Sequence, residues 1–272
     1  MKEQHRQILV AAGLEPGFVT VGEGLSGRRI AYLRRAPSAA GAARPGIVWF
    51  GGFGSDMRGL KAERLDCYAA ATGRAFLRFD YSGHGCSEGG FETATIGLWL
   101  EESLAVLRRL TEGPQALVGS SMGGWLALLA ARALQASGET ERLKGLVLIA
   151  PAVDFTESLI WERMSPEARQ DIEEKGLWLR HSPYSDEPYP ITRALIEEGR
   201  RHLLLGDTIR AYCPVHVLQG MQDEDVPWRH AMALVENLAG DPVSLTLIKD
   251  GDHRLSRDQD LKKLIAAVEM IA

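Results

Sequence analysis

Short apolar runs alternate with helical stretches along most of this chain, and that alternation sets the fold class. The runs at 47–50, 75–79, 115–118 and 143–149 have the length and the flanking glycine or proline expected of buried strands. Between them, 60–71 and 95–110 carry apolar residues at helical spacing, and Gly73 is the expected stop of the first. A further helix is expected from 122 to about 136. Two shorter strands are expected at 18–21 and 29–33, joined by a glycine turn. That turn, Gly22 to Gly27, matches G-x-G-x-x-G, but a strand rather than a helix follows it, so a dinucleotide site is not expected there.

The pattern breaks after Pro151. Helices are expected at 155–164, 166–175 and 191–205, with no strand among them, and Trp161, Trp178, Tyr184 and Tyr189 are concentrated in this stretch. The alternation then resumes with strand 214–218, helix 229–238, strand 243–248 and helix 258–271. The fold class is therefore α/β: a mostly parallel eight-stranded sheet flanked by helices, with a helical lid inserted before the last two strands. The expected division is a first core part at 1–153, the lid at 154–212 and a second core part at 213–272. Ligands bind at the C-terminal strand ends of open α/β sheets, and four large aromatics in a short insert need something to cover.

Composition narrows the classes. With 272 residues and 45% apolar content, the chain can bury a substantial core. A net charge of −5 argues against a nucleic-acid surface, which needs a basic excess. The arginines are dispersed, so there is no polybasic membrane patch, and no run approaches the ~18 apolar residues of a membrane span. Cys67, Cys86 and Cys213 are widely separated and show neither CxxC nor zinc spacing. That odd count, without a signal-peptide pattern, leads to the expectation of a cytoplasmic protein.

The candidate chemistry begins at Gly119-Ser120-Ser121-Met122-Gly123. This is G-x-S-x-G between an apolar run and a helix-like stretch, the context of a nucleophile elbow. A serine strained into a strand-to-helix turn tolerates no bulk two residues away on either side. Small residues closing an ordinary turn are the plainer alternative. An activated serine needs a base and a group to orient it. Of seven histidines, His5 falls in a terminus expected to be loose, His181 and His202 in the lid, His216 within a strand, and His230 at a helix start as a polar surface residue. His84 follows a strand at the active end and could border the site. His253 follows the last strand in a Gly/Asp loop, and chain order makes it the expected base. Asp223, first after the turn beyond strand 214–218, is the expected acid, with Asp225 and then Asp154 behind it. The oxyanion donors are expected from the amides of Met122, after the nucleophile, and Phe53, in the loop Gly51-Gly52-Phe53.

Taken together, Gly119 to Gly123, Asp223 with Val226-Pro227, and His253 resemble the α/β-hydrolase superfamily. Phe79-Asp80-Tyr81-Ser82-Gly83-His84-Gly85, Gly124-Trp125, Gly220-Met221-Gln222-Asp223 with Trp228, and Asp252-His253-Arg254 are similar to one group within it. That group contains the mitochondrial palmitoyl-protein thioesterases and bacterial relatives. The resemblance runs from about residue 47 to 261 and is weakest in the lid. It implies serine hydrolysis of acyl esters or thioesters, on a small-molecule or acylated substrate, with no metal or organic cofactor. Two departures stand out: Gly51-Gly52 replaces the His-Gly of many superfamily members, and the transit-peptide pattern of the mitochondrial relatives is absent. A non-catalytic small-molecule-binding protein on the same scaffold, a serine peptidase and a carbon–carbon hydrolase stay open as alternatives.

Overall fold

The strands β3 (Gly46–Phe50) and β5 (Gln115–Ser120) lie side by side in the sheet, and every residue of both is buried. A parallel strand is covered on both faces, so the most continuous apolar runs of the sequence take the middle positions. The computed structural model describes residues 3–24, 27–182, 185–240 and 242–272. Tyr184, expected in the lid, and Leu25 and Ser26 of the first glycine turn lie outside the described residues.

The other strands are β1 (Glu15–Val21), β2 (Arg28–Arg35), β4 (Phe76–Phe79), β6 (Leu143–Ile149), β9 (Val215–Gly220) and β10 (Val243–Ile248). Their order across the sheet is β1-β2-β4-β3-β5-β6-β9-β10. Pairing is antiparallel from β1 to β2 and from β2 to β4, and parallel from there on. Alternate residues of one strand feed two cores, as the period of two requires. Val48 and Phe50 pack with Trp99 and Val106 of α3 (Ile96–Leu110) and with Trp125 and Leu129 of α4 (Met122–Ala136). Ile47 and Trp49 pack on the opposite face, with Ala62 and Leu65 of α2 (Leu60–Thr72) and Leu264 and Val268 of α8 (Asp258–Ile271). Helix α7 (Trp228–Asn237) joins the first face through Ala231 and Leu234. The helix ends follow local chemistry. Thr95 caps α3 by accepting the Leu98 amide at 3.3 Å, and Gly73 ends α2 in the left-handed region at φ 69°.

Two expectations are corrected. The N-terminal segment forms a helix, α1 (Glu3–Ala11), whose Leu9 packs beside Leu14, Ala31 and Leu33. The stretch between β6 and β9 is not wholly helical. A π-helical turn (Phe155–Ile160) and a tight turn (Trp161–Arg163) replace the first expected helix. Helix α5 (Pro166–Lys175) forms as expected, with Ser165 capping it and Pro166 in its first turn. Gly176 then turns the chain left-handed at φ 80°, and an antiparallel hairpin follows, β7 (Leu177–Ser182) and β8 (Ser185–Thr192). Pro188 and Pro190 conceal β8 in the sequence, because proline argues against a strand unless the strand is an edge. Both strands of a two-stranded hairpin are edges. The last expected helix shrinks to α6 (Arg193–Gly199), beginning after Thr192, whose hydroxyl accepts the Leu195 amide at 3.1 Å.

Asp154 closes the neck of this insertion. It sits at φ 56°, and its buried carboxylate accepts the Leu204 amide at 2.9 Å and the Leu205 amide at 2.8 Å. The first residue of the insertion is thereby tied to its far end, and burial raises the Asp154 carboxyl above its ordinary range. Arg169 and Arg200 both lie over the Trp161 ring, 5.2 and 5.1 Å from its centre, so that Trp161 braces the insertion itself.

Candidate active site

The strand β5 runs into α4 with one residue to turn in, Ser121, at φ 54° and ψ −120°. A non-glycine residue there is strained, and strain of that kind persists only where the surroundings over-determine it. Three backbone bonds do so. The Ser121 amide donates to Ile149 O at 2.9 Å, and Ser121 O accepts from Gly124 at 2.9 Å and Ala152 at 3.1 Å. The flanking glycines are steric necessities. A Cβ on Gly119 would stand 2.3 Å from Gly123 O, and one on Gly123 would stand 2.2 Å from Phe50 O. Ser121 occupies the N-cap position of α4 without a capping bond from its side chain. The Met122 amide is the first of that helix and has no acceptor within it.

The loop after β3 lies directly against this turn. A Cβ on Gly52 would meet Ser121 Cβ and Ser120 O, each at 3.4 Å. The loop is a tight turn in which Ser55 donates its amide (3.2 Å) and its hydroxyl (2.7 Å) to Gly52 O. Gly54 holds the left-handed position at φ 68°. The Gly54 amide donates to His84 Nε2 at 3.0 Å. The Phe53 amide has no hydrogen-bond partner among the described residues. The Phe53 ring packs edge-on to Phe91, Trp99 and Tyr189 and tilts against Phe155.

Asp223 follows β9, and its side chain is fully buried. Its Oδ1 accepts the Val226 amide at 2.8 Å, and its Oδ2 accepts from Gln219 Nε2 at 3.1 Å and lies 2.8 Å from His253 Nδ1. A carboxylate held this way offers His253 an acceptor at the Nδ1 edge of the ring. The other two acids considered are engaged elsewhere: Asp225 faces Arg180 at 3.6 Å, and Asp154 holds the insertion neck. One donor atom each from Asp223, Asp225 and His253 fall within 4.8 Å, close enough for a divalent cation. A cation using Nδ1 there would have to displace the Asp223 contact.

Ser121, Met122, Phe53 and His253 line one cavity of about 540 Å³. Phe155, Leu159, Ile160 and Val226 give it an apolar wall, and Lys61, Arg180 and Arg254 bring positive charge to its lining. Burial lowers the Lys61 ammonium to about 8, and Lys61 donates to the Arg254 carbonyl in the loop that carries His253. Of the four aromatics expected to cover the site, Tyr189 lines the cavity, while Trp178 packs against the core. Sequence reasoning missed Lys61 and Arg180, because each reaches the cavity from an element whose docking has no local signal. The remaining histidines are placed as follows. His216 is buried in β9, 3.0 Å from Thr246 Oγ1. His202 pairs with Glu198 at 2.6 Å. His181 is exposed, on the cavity lining. His230, expected as a surface residue, is only partly exposed and ties α7 to Val153 O at 2.8 Å. His84 is buried, and both its ring nitrogens face the backbone of neighbouring loops.

A model of the alpha/beta hydrolase family matches residues 45–267, and the chain belongs to that family. Its particular relatives include the palmitoyl-protein thioesterase ABHD10, mitochondrial, of Mus musculus. That protein is 38% identical over 226 residues, which make up 83% of this chain and 74% of the relative. The Homo sapiens protein of the same name is 36% identical over 226 residues, 83% of this chain and 72% of that relative. Among solved structures, a putative hydrolase from Agrobacterium vitis S4 superposes with a TM-score of 0.91 at 48% identity, covering 95% of this chain and 99% of that one. Mouse alpha/beta hydrolase domain-containing protein 10 superposes with a TM-score of 0.82 at 35% identity, covering 94% and 97%.

Proposed function

We propose that this hydrolase cleaves acyl esters or thioesters through a covalent acyl-serine on Ser121. His253 takes the Ser121 proton as the oxygen attacks the acyl carbon. Asp223 fixes the imidazole with its proton on Nδ1 and stabilises the imidazolium that forms. The Met122 and Phe53 amides bind the oxyanion of the tetrahedral intermediate. His253 then gives its proton to the departing alcohol or thiol. Water attacks the acyl-serine with His253 again as base, and Ser121 is regenerated.

The observation that carries this reading is the 2.8 Å contact between Asp223 Oδ2 and His253 Nδ1, with that imidazole sharing a cavity with a serine on a strained elbow. The apolar wall supports an acyl group as the part of the substrate held there, and the thioesterase relatives support the bond class. Hydrolysis of p-nitrophenyl esters and acyl thioesters of graded length, with fluorophosphonate labelling, tests it. Wild type should turn over and label, and Ser121→Ala should do neither. Equal labelling of the two ends the nucleophile assignment, and binding without turnover favours a non-catalytic receptor. A cytoplasmic location is likewise proposed, on cysteine usage alone. The relatives' names place those proteins in mitochondria, and fractionation of the source cells decides the matter.

A further inference from the structure

We infer that His84 is the positioning residue of the oxyanion loop: a neutral imidazole that anchors the Gly54 amide and thereby aims the Phe53 amide at the reacting oxygen. The inference rests on the oxyanion role proposed above for Phe53.

The geometry fixes the tautomer without appeal to the ring itself. Gly54 N–H can only donate, so His84 Nε2, 3.0 Å away, must carry the lone pair. Ser82 O can only accept, so Nδ1, 3.1 Å away, must carry the proton. A protonated imidazole would set two N–H groups against each other at Gly54. Burial already opposes the charged form, which lowers His84 to about 4. The ring is held in place by aromatic neighbours, with Phe91, Trp99 and Tyr81 at 5.0, 5.3 and 5.7 Å between ring centres. Tyr81 is the titratable side chain among them, and burial holds its phenol well above its ordinary value.

The anchor continues behind His84. Ser82 O also accepts from Trp99 Nε1 at 3.1 Å, and the Ser82 amide donates to Glu102 Oε2 at 2.9 Å. Glu102 is fully buried and paired with Arg28 at 2.8 Å. A chain of hydrogen bonds thus runs from Arg28 through Glu102, the Ser82 peptide and His84 to Gly54. On the loop side the amides are divided by use. Ser55 closes the turn, Gly54 is spent on His84, and Phe53 has no partner among the described residues. Losing the Gly54 anchor lets the turn rotate, and the adjacent amide goes with it. Hydrogen bonds aimed at a developing charge are worth most when they need no reorganisation, so a loose donor costs turnover rather than substrate binding.

Three substitutions separate the two ends of the ring. His84→Gln places an acceptor near the Nε2 position, His84→Asn places a donor near Nδ1 only, and His84→Phe keeps the packing without either. The measurements are kcat and KM on a p-nitrophenyl ester, normalised to folded protein, and affinity for a trifluoromethyl ketone whose adduct oxygen sits at the oxyanion position. For His84→Phe and His84→Asn, kcat should fall about 10- to 100-fold with KM within about threefold. Ketone affinity should fall in step with kcat, and His84→Gln should recover most of both. Folded Phe and Asn variants with wild-type kcat overturn the inference, as does a Gln variant no better than Asn. Should the variants fail to fold, the wild-type protein still decides: long-range nitrogen NMR should show His84 protonated on Nδ1 alone, and a proton on Nε2 overturns the inference. Ser121→Ala is assayed alongside. If it turns over like wild type, the nucleophile reading has failed; if it is inert beside a wild-type-like His84→Phe, only the role of His84 has.

Discussion

Replacing Asp223 by asparagine alters one atom's chemistry and leaves the shape of the site unchanged, so its effect can be worked through. The side chain is enclosed by three donors: the Val226 amide on Oδ1, and Gln219 Nε2 and His253 Nδ1 on Oδ2. Asparagine has one oxygen to serve both sides. Gln219 Nε2 has two hydrogens and reaches two other acceptors, Gly220 O and Val226 O, each at 3.0 Å, so it can release position 223. The Val226 amide has no such alternative among the described residues. Leaving it buried and unpaired costs about 1–3 kcal/mol. The asparagine oxygen therefore turns to Val226, and its NH₂ faces His253. That NH₂ donates to Nδ1 and drives the proton to Nε2, the nitrogen that must accept from Ser121. At about 1.4 kcal/mol per tenfold, the tautomer preference alone removes about 10- to 100-fold. Losing the carboxylate beside the imidazolium removes about 2 kcal/mol more, the worth of a charged hydrogen bond. The expected fall in kcat is about 300- to 3,000-fold, somewhat below the ~10,000-fold loss typical of this exchange in a serine protease. The assay is steady-state hydrolysis of a p-nitrophenyl ester, with circular dichroism to confirm the fold. A folded Asp223→Asn enzyme within about tenfold of wild type would refute the assignment of Asp223.

Three further outcomes are expected. Gly123→Ala should lower Tm by several degrees and abolish turnover, because its Cβ would stand 2.2 and 2.5 Å from the carbonyl oxygens of Phe50 and Gly51, and such overpacking typically costs ~1–3 kcal/mol or more; an unchanged melting curve would contradict the steric account of the elbow. Leu159→Trp should shorten the accepted acyl chain, lowering kcat/KM for long esters about tenfold or more while sparing acetate esters, and equal losses across the series would remove Leu159 from the acyl wall. His84, lowered from 6.5 to about 4 by burial, binds a proton more readily in the unfolded chain. The stability it confers is complete above pH 6.5 and is lost as the pH falls from there through 4, by about 2.5 kcal/mol at pH 4.5. Urea unfolding of wild type and His84→Gln at pH 7 and 4.5 should show that difference in slope, and parallel curves would refute it.

The sheet was legible in the sequence because its strands are local patterns. Runs such as 47–50 and 143–149 are buried on both faces and read as unbroken apolar segments, and the helices between them are delimited by Thr95, Gly73 and Gly113-Pro114. The elbow was legible for a different reason. Backbone oxygens fill the space around Gly119 and Gly123, so no other residue fits, and the requirement is written in the pentapeptide. The insertion was not legible. Its hairpin has no apolar alternation to separate it from helix, and Pro190 lies within the strand. Ile191 is fully buried by tertiary packing, which a window of neighbouring residues does not contain.

The candidate site divides along the same line. Ser121, Asp223 and His253 each sit just past the end of a strand, where chain order and loop chemistry narrow the choice, and the structure brings the acid and the imidazole together. The partners of the oxyanion loop come from three distant segments, and no local spacing relates them. Gly54 shows why. Its amide is held by His84, thirty residues on, and a Cβ there would lie 2.3 Å from the ring of Tyr189 on the hairpin. One glycine thus meets three demands at once: the left-handed turn, the histidine anchor and the close approach of the insertion. In the sequence it reads only as the end of Gly51-Gly52-Phe53-Gly54, a glycine-rich turn. Substituting Gly54 would disturb the turn, the anchor and the hairpin together, whereas His84→Phe releases the anchor alone. That separation is why His84, and not the glycine it holds, is the position at which the aim of the Phe53 amide can be tested.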